Sequence, residues 1–140
     1  MIEQAFRAAL LRSDAVRRLL AARVYPVVLP QAPQYPAATY QMVSNWSEYS
    51  HDGASRFADS RIQVDLYATT HGEVAALRNA VMGALSGAKG DFGDPPVRIQ
   101  GVFRVMELDA YEAALEPAGP RVWRKTLDFR VIFEEDYCNV

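Results

Sequence analysis

Ser50, His51, Asp52 and Ser55 are the residue types of a nucleophile, base and acid, gathered on one short segment. A working triad needs the base aligned between nucleophile and orienter, which normally brings residues from separate elements around a pocket. Neighbours on one turn rarely meet that geometry, and Asp52-Gly53 is equally well explained as turn chemistry in an exposed loop. Asp91-Phe92-Gly93-Asp94 sets two carboxylates about a glycine but lacks the ligand ladder and distal bidentate Glu of a calcium loop, so it reads as a surface turn. His51 and His71 fall on different elements, with no Cys or carboxylate at metal-ligand spacing. The glycines at 83, 87, 90 and 93 have no preceding strand and no following Gly-Lys-Ser/Thr, so they form no phosphate loop. The expectation is no catalytic residue, no cofactor and no metal. The remaining chemistry is that of surfaces. Trp46, Tyr49 and Phe57 flank the polar segment, and such aromatics are favoured at protein interfaces. The same rings could instead pack on each other, or, with Arg56 and Arg61 interleaved, stack single-stranded nucleic acid.

The bulk composition narrows the classes further. The chain has 140 residues, half of them hydrophobic, a net charge of −2 and one cysteine. A domain of roughly that size buries about two thirds of its unfolded surface and needs no disulfide or structural metal. Cys138, being single, makes neither an internal bridge nor a four-Cys zinc site. The apolar runs are too short to span a membrane, and Arg7 and Arg12 inside the first helical pattern do not suit a signal peptide. Near-neutrality argues against a dedicated nucleic-acid binder, whose phosphate contacts normally require a basic excess. The charge is uneven, however. Arg7, Arg12, Arg17, Arg18 and Arg23 crowd the N-terminal stretch, whereas Glu134, Glu135 and Asp136 mark the acidic end of the last strand. Ordinary solvated charge explains this, and so does head-to-tail association of identical subunits.

These residues are positioned by elements that the spacing predicts. Ile2, Phe6 and Leu10, then Val16, Leu19 and Leu20, recur at helical spacing, with Ser13 able to cap a restart at Asp14. Tyr25 to Pro36 holds Pro26, Pro30, Pro33 and Pro36, which allows only a brief edge strand and an extended loop. Strands are predicted over Ala37 to Trp46 and Phe57 to Tyr67, a long hairpin with Ser47 to Arg56 as a large loop at its tip. In the second strand Ile62, Val64 and Leu66 alternate with Arg61, Gln63 and Asp65. Thr70 and Glu73 form a capping box for a helix with the stripe Val74, Leu77, Val81 and Leu85. A glycine-rich loop follows. A third strand places Val97, Ile99, Phe103 and Val105 on one face. The last strand sets Trp123, Leu127, Phe129, Val131 and Phe133 against Arg124, Thr126, Asp128 and Arg130. The fold expected is a single α+β domain: an antiparallel sheet of two long hairpins plus a short edge strand, with two to three helices packed on one face.

In their order these segments resemble the tail completion, or tail terminator, proteins of long-tailed phages. The likeness runs through Ile2-Glu3, Leu10-Leu11, Val24-Tyr25-Pro26, Leu29-Pro30-Gln31 and Pro36-Ala37 to Tyr40-Gln41-Met42-Val43-Ser44. It continues through His51-Asp52-Gly53, Arg61 to Asp65, the Glu73 to Leu85 helix, Gln100 to Phe103, Asp109, Tyr111-Glu112, and Arg124 with Leu127 to Val131. Ala88 to Pro95 departs from the pattern. The resemblance implies a structural virion protein at the head-proximal end of the tail, made in the bacterial host cytoplasm. Such a protein forms a ring, typically a hexamer, on the last tail-tube subunits, ends tube growth and meets the head-completion (stopper) protein of the neck. DNA passes through its lumen without specific binding, and no membrane is involved. Interface candidates are Arg17, Arg18, Tyr25, Trp46, Tyr49, His51, Asp52, Arg56, Phe57, Glu134, Glu135 and Asp136. A related connector or minor tail protein is the alternative; a small α+β enzyme is a second, from another class.

Overall fold

The computed structural model describes residues 2–50, 53–112 and 121–134, with the backbone alone at 47–50, 53–56 and 112. The chain begins with helices α1 (Ile2–Leu11) and α2 (Asp14–Leu20). They are separate because Ser13 leaves helical geometry and its hydroxyl accepts from the Val16 amide at 3.4 Å, satisfying one orphan donor of the second helix. Strand β1 (Val24–Pro26) leads through the proline-rich segment to β2 (Ala37–Ser50) and β3 (Gly53–Ala68). Helix α3 (His71–Leu85) starts at Thr70, whose hydroxyl accepts from the Glu73 amide at 3.2 Å. Strands β4 (Gly90–Phe92), β5 (Val97–Glu112) and β6 (Val122–Glu134) complete the order.

The six strands form one sheet in the order β1-β2-β3-β6-β5-β4, curled as a half-barrel. The fold is α+β, and β2 with β3, β3 with β6 and β5 with β6 are the long antiparallel pairs. Three particulars differ from expectation. The edge strand β1 runs parallel to β2, with Val24 beside Ala38 and Pro26 beside Tyr40, so the sheet is mixed. Strands β2 and β3 extend to Ser50 and Gly53, so what composition marked as a large polar loop from Ser47 to Arg56 is mostly strand. The glycine-rich segment contains β4, which pairs with the start of β5. There Gly93 has φ +89°, and a Cβ at that position would lie 3.3 Å from the Ala5 Cα of α1. Glycine is required on both counts.

One face of the sheet carries the helices. Ala58, Ile62, Val64 and Leu66 of β3 and Leu127, Phe129, Val131 and Phe133 of β6 share a core with Phe6, Leu10, Val16, Leu20, Val74, Leu77, Val81 and Leu85 from the helices. Phe6 and Phe129 meet with ring centroids 6.0 Å apart, tying α1 to the central strand.

Strand β5 departs most from simple alternation. Its partners on β6 jump between Ile99 and Gly101 and again between Arg104 and Met106, so Gln100 and Val105 are extra residues in the ladder. The first bulge reverses the faces, since each side chain alternates with period two. Val102 is therefore buried, whereas Phe103, expected in the core, is exposed. Val105, also expected inside, is exposed as the extra residue of the second bulge.

Candidate assembly surfaces

The helix-free face is built by the polar halves of the alternating strands. Registration sets Arg61 of β3 directly opposite Arg130 of β6, and Gln63 opposite Asp128. Like charges directly across an antiparallel pair repel, but diagonal neighbours lie within reach of long side chains. Each arginine takes the diagonal: Arg61 pairs with Asp128, and the Arg130 Nη2 lies 2.6 Å from the Asp59 carboxylate. Next to this cross, the Thr126 hydroxyl donates to Asp65 at 2.5 Å and the Gln63 amide donates to the same residue at 3.1 Å. Tyr67 continues the row. Its burial pushes the phenol up from its ordinary value, against the opposing pull of hydrogen bonds with Thr39 and Arg124. Thr39, Thr126 and Asp128 are buried on this face.

On the helix side, Arg78 of α3 donates to Glu107 of β5 at 2.6 Å and holds that carboxyl below its ordinary value. Lys125 lies 3.0 Å from Asp109. The arginines of the N-terminal stretch also act inside the subunit. Arg7 donates to the Val24 carbonyl at 3.1 Å, and Arg23 to the Pro36 carbonyl at 2.8 Å. Arg12 sits 5.5 Å above the Phe92 ring. Arg17 pairs with Asp14 and donates to the carbonyls of Leu11 and Arg12 at 2.7 and 3.2 Å, closing the bend between α1 and α2. Arg18 is exposed.

Of the interface candidates, the structure brings together Trp46, Phe57 and Glu134. Trp46 is 71% exposed, and Phe57, also exposed, is registered against Glu134 at the same end of the sheet. Glu134 accepts from the Gln100 amide at 3.2 Å. Tyr25 belongs to the other end, beside Thr39, and Arg17 and Arg18 lie on α2. His51, Asp52, Glu135 and Asp136 fall outside the described residues, as do the side chains of Tyr49 and Arg56.

The exposed apolar side chains of β5 were missed by sequence reasoning. Phe103, Val105, Met106, Leu108 and Tyr111 of β5 are all exposed. The available signal was Gly101, since an isolated glycine inside a strand pattern marks a bulge. Among the described residues, no group of three or more His, Cys, Asp or Glu could hold a metal ion, and no helix is long and apolar enough to cross a membrane.

Comparison with known proteins now gives these surfaces a context. No curated protein matches the chain. A solved chain from the virion of a native gene transfer agent particle superposes with a TM-score of 0.64 at 21% identity, covering 95% of this chain and 96% of that one. At such identity the likeness establishes the fold. The family model described as tail completion protein gp17 matches residues 4–134, the whole sheet and all of the helices but the first two residues of α1. The chain belongs to the tail completion protein gp17 family, structural proteins of the phage-like tail.

Proposed function

We propose that this chain closes into a ring, a hexamer, on the last tail-tube subunits, ends tube polymerisation and offers the opposite surface to the stopper protein of the neck. The observation that carries this reading is the family match over residues 4–134. Ring closure needs two different, complementary patches on each subunit. The end of the β2 and β3 pair is one source of contacts to tube, stopper or neighbour, with Trp46 and Phe57 exposed there. Tyr49, His51, Asp52 and Arg56 join them by sequence, and Glu134, Glu135 and Asp136 supply the acidic end of β6. Arg17, Arg18 and Tyr25 belong to the helical side and the β1 edge. DNA passes through the lumen without being held. The helix-free face suits that passage, because Asp59, Asp65, Asp128 and Glu134 outnumber Arg61, Arg124 and Arg130 and a face with no basic excess attracts phosphates weakly.

The test is to add the purified chain to polymerising tail-tube subunits. Growth should stop, with the chain found at one end of each tube. Tubes that lengthen unchanged, with no chain bound at either end, contradict the reading.

A further inference from the structure

Two long strands of the half-barrel keep an unpaired edge. Strand β1 covers β2 only at Ala38 to Tyr40, and β4 covers β5 only at Val97 to Ile99. The remaining lengths, 41–50 of β2 and 100–112 of β5, have no strand beside them among the described residues, although the Val102 carbonyl of β5 accepts from the Gly87 amide at 3.0 Å. Natural sheets usually blunt such edges with lysine, proline or short length. Neither length contains a lysine or a proline. Of the described charges on the β5 edge, Glu107 pairs with Arg78 and Arg104, and Asp109 with Lys125.

The two edges match. Following the register across the sheet, Gln41 stands level with Gln63, Asp128 and Met106, and Trp46 with Asp59, Ile132 and Gly101. The open part of β2 therefore overlaps the open part of β5 in height. Each edge is bent at nearly the same level by a bulge whose extra residue is a valine, Val43 and Val105, at 50% and 51% exposure. Strands β2, β3, β6 and β5 are successively antiparallel, so β2 and β5 run in opposite directions. Rotating a second copy about an axis along the strands thus brings its β2 antiparallel to this β5.

We propose that the open edge of β5 pairs, antiparallel, with the open edge of β2 of a second copy of this chain, so that the sheet continues from subunit to subunit. The open backbone groups of the two edges then pair with each other, and Phe103, Val105 and Met106 are shielded with Val43 and Trp46. The interface is heterologous, as ring closure demands. It rests on the reading of the chain as a ring-forming subunit, and adds which surfaces make the ring.

The test places Val43→Cys together with Phe103→Cys, Val105→Cys or Leu108→Cys, each pair in a Cys138→Ser chain. The three positions on β5 allow for the stagger that barrel closure imposes. Within one chain β2 and β5 are separated by β3 and β6, roughly 14 Å along the sheet, too far for a disulfide, so any bridge joins two copies. Mild oxidation of the chain assembled on tail tubes should give, for at least one pair, a ladder of covalent oligomers that stops at the ring, while each single variant stops at the dimer. Rings that form with none of the three pairs bridging overturn the edge pairing and leave the ring standing. A ladder that runs on into open polymers supports the edge pairing and contradicts the ring. Chains that stay monomeric even with tubes overturn both. Val43→Lys and Val105→Lys, at exposed positions that leave the fold intact, should each raise the concentration for half-assembly about tenfold or more. Unchanged assembly of both lysine variants overturns the edge pairing.

Discussion

Replacing Arg61 with Met should remove about 2 kcal/mol of folding stability. The Asp128 side chain is 5% exposed, and Arg61 at 44% is its ion-pair partner. The second Asp128 carboxylate oxygen, Oδ1, is buried with no hydrogen bond. Removing one partner of a fully buried pair costs about 3–5 kcal/mol, whereas an exposed pair contributes only about 0.2–1 kcal/mol. Here one partner is buried and the other half in water, which sets the loss between those limits. Urea unfolding of the monomer reads it: with a slope of about 2 kcal/mol/M, the midpoint should fall by about 1 M with the slope unchanged. Arg61→Met combined with Asp128→Asn should recover part of the loss, because the orphaned charge is gone. That recovery separates a buried-charge effect from lost packing of the arginine stem. A midpoint for Arg61→Met within about 0.2 M of the parent, or strictly additive losses in the double variant, would refute the reasoning.

Three further outcomes are expected. Thr70→Ala removes the hydroxyl that accepts from the Glu73 amide and should cost about 1 kcal/mol, with Thr70→Ser restoring most of it in the same urea titration. Gly93→Ala forces a side chain into a left-handed backbone position against α1 and should cost about 1–3 kcal/mol, read as a lower thermal midpoint; an unchanged midpoint contradicts the close approach to Ala5. Glu107→Gln should cost about 0.5–1 kcal/mol at neutral pH through the lost bond to Arg78. Because Arg78 lowers the folded-state value of Glu107, that stabilisation is present above the unfolded value near about 4.3 and disappears as pH falls through the folded value. The gap between parent and variant should therefore close as the pH falls below that unfolded value, and a gap of constant size across the titration contradicts the pairing.

Local chemistry made parts of the fold legible. Ser13 and Thr70 mark their helix starts because a cap depends on residues three positions away. Ile62, Val64 and Leu66 reveal their face because no bulge interrupts them, and the ordered segments pointed to the family. Strand β5 could not be phased in the same way. Its bulges at Gln100 and Val105 show themselves only against β6, and they turn Phe103 and Val105 outward. Strand β4 was hidden because two of its three residues, Gly90 and Asp91, disfavour strands and the segment depends on pairing with Val97 to Ile99. The same holds for charge. The arginine-rich N-terminus read as solvated charge or as a surface for self-association; that Arg7, Arg17 and Arg23 also donate to backbone carbonyls could not be read, because only the folded chain places those carbonyls near them.

The most direct measurement of the proposed role is the tail-length distribution, by electron microscopy, of particles made with and without this gene. Without it, tail tubes should be overlong and detached from filled heads, and supplying the chain in trans should restore both length and joining. Tails of normal length, joined to filled heads in its absence, would contradict a role in ending the tube.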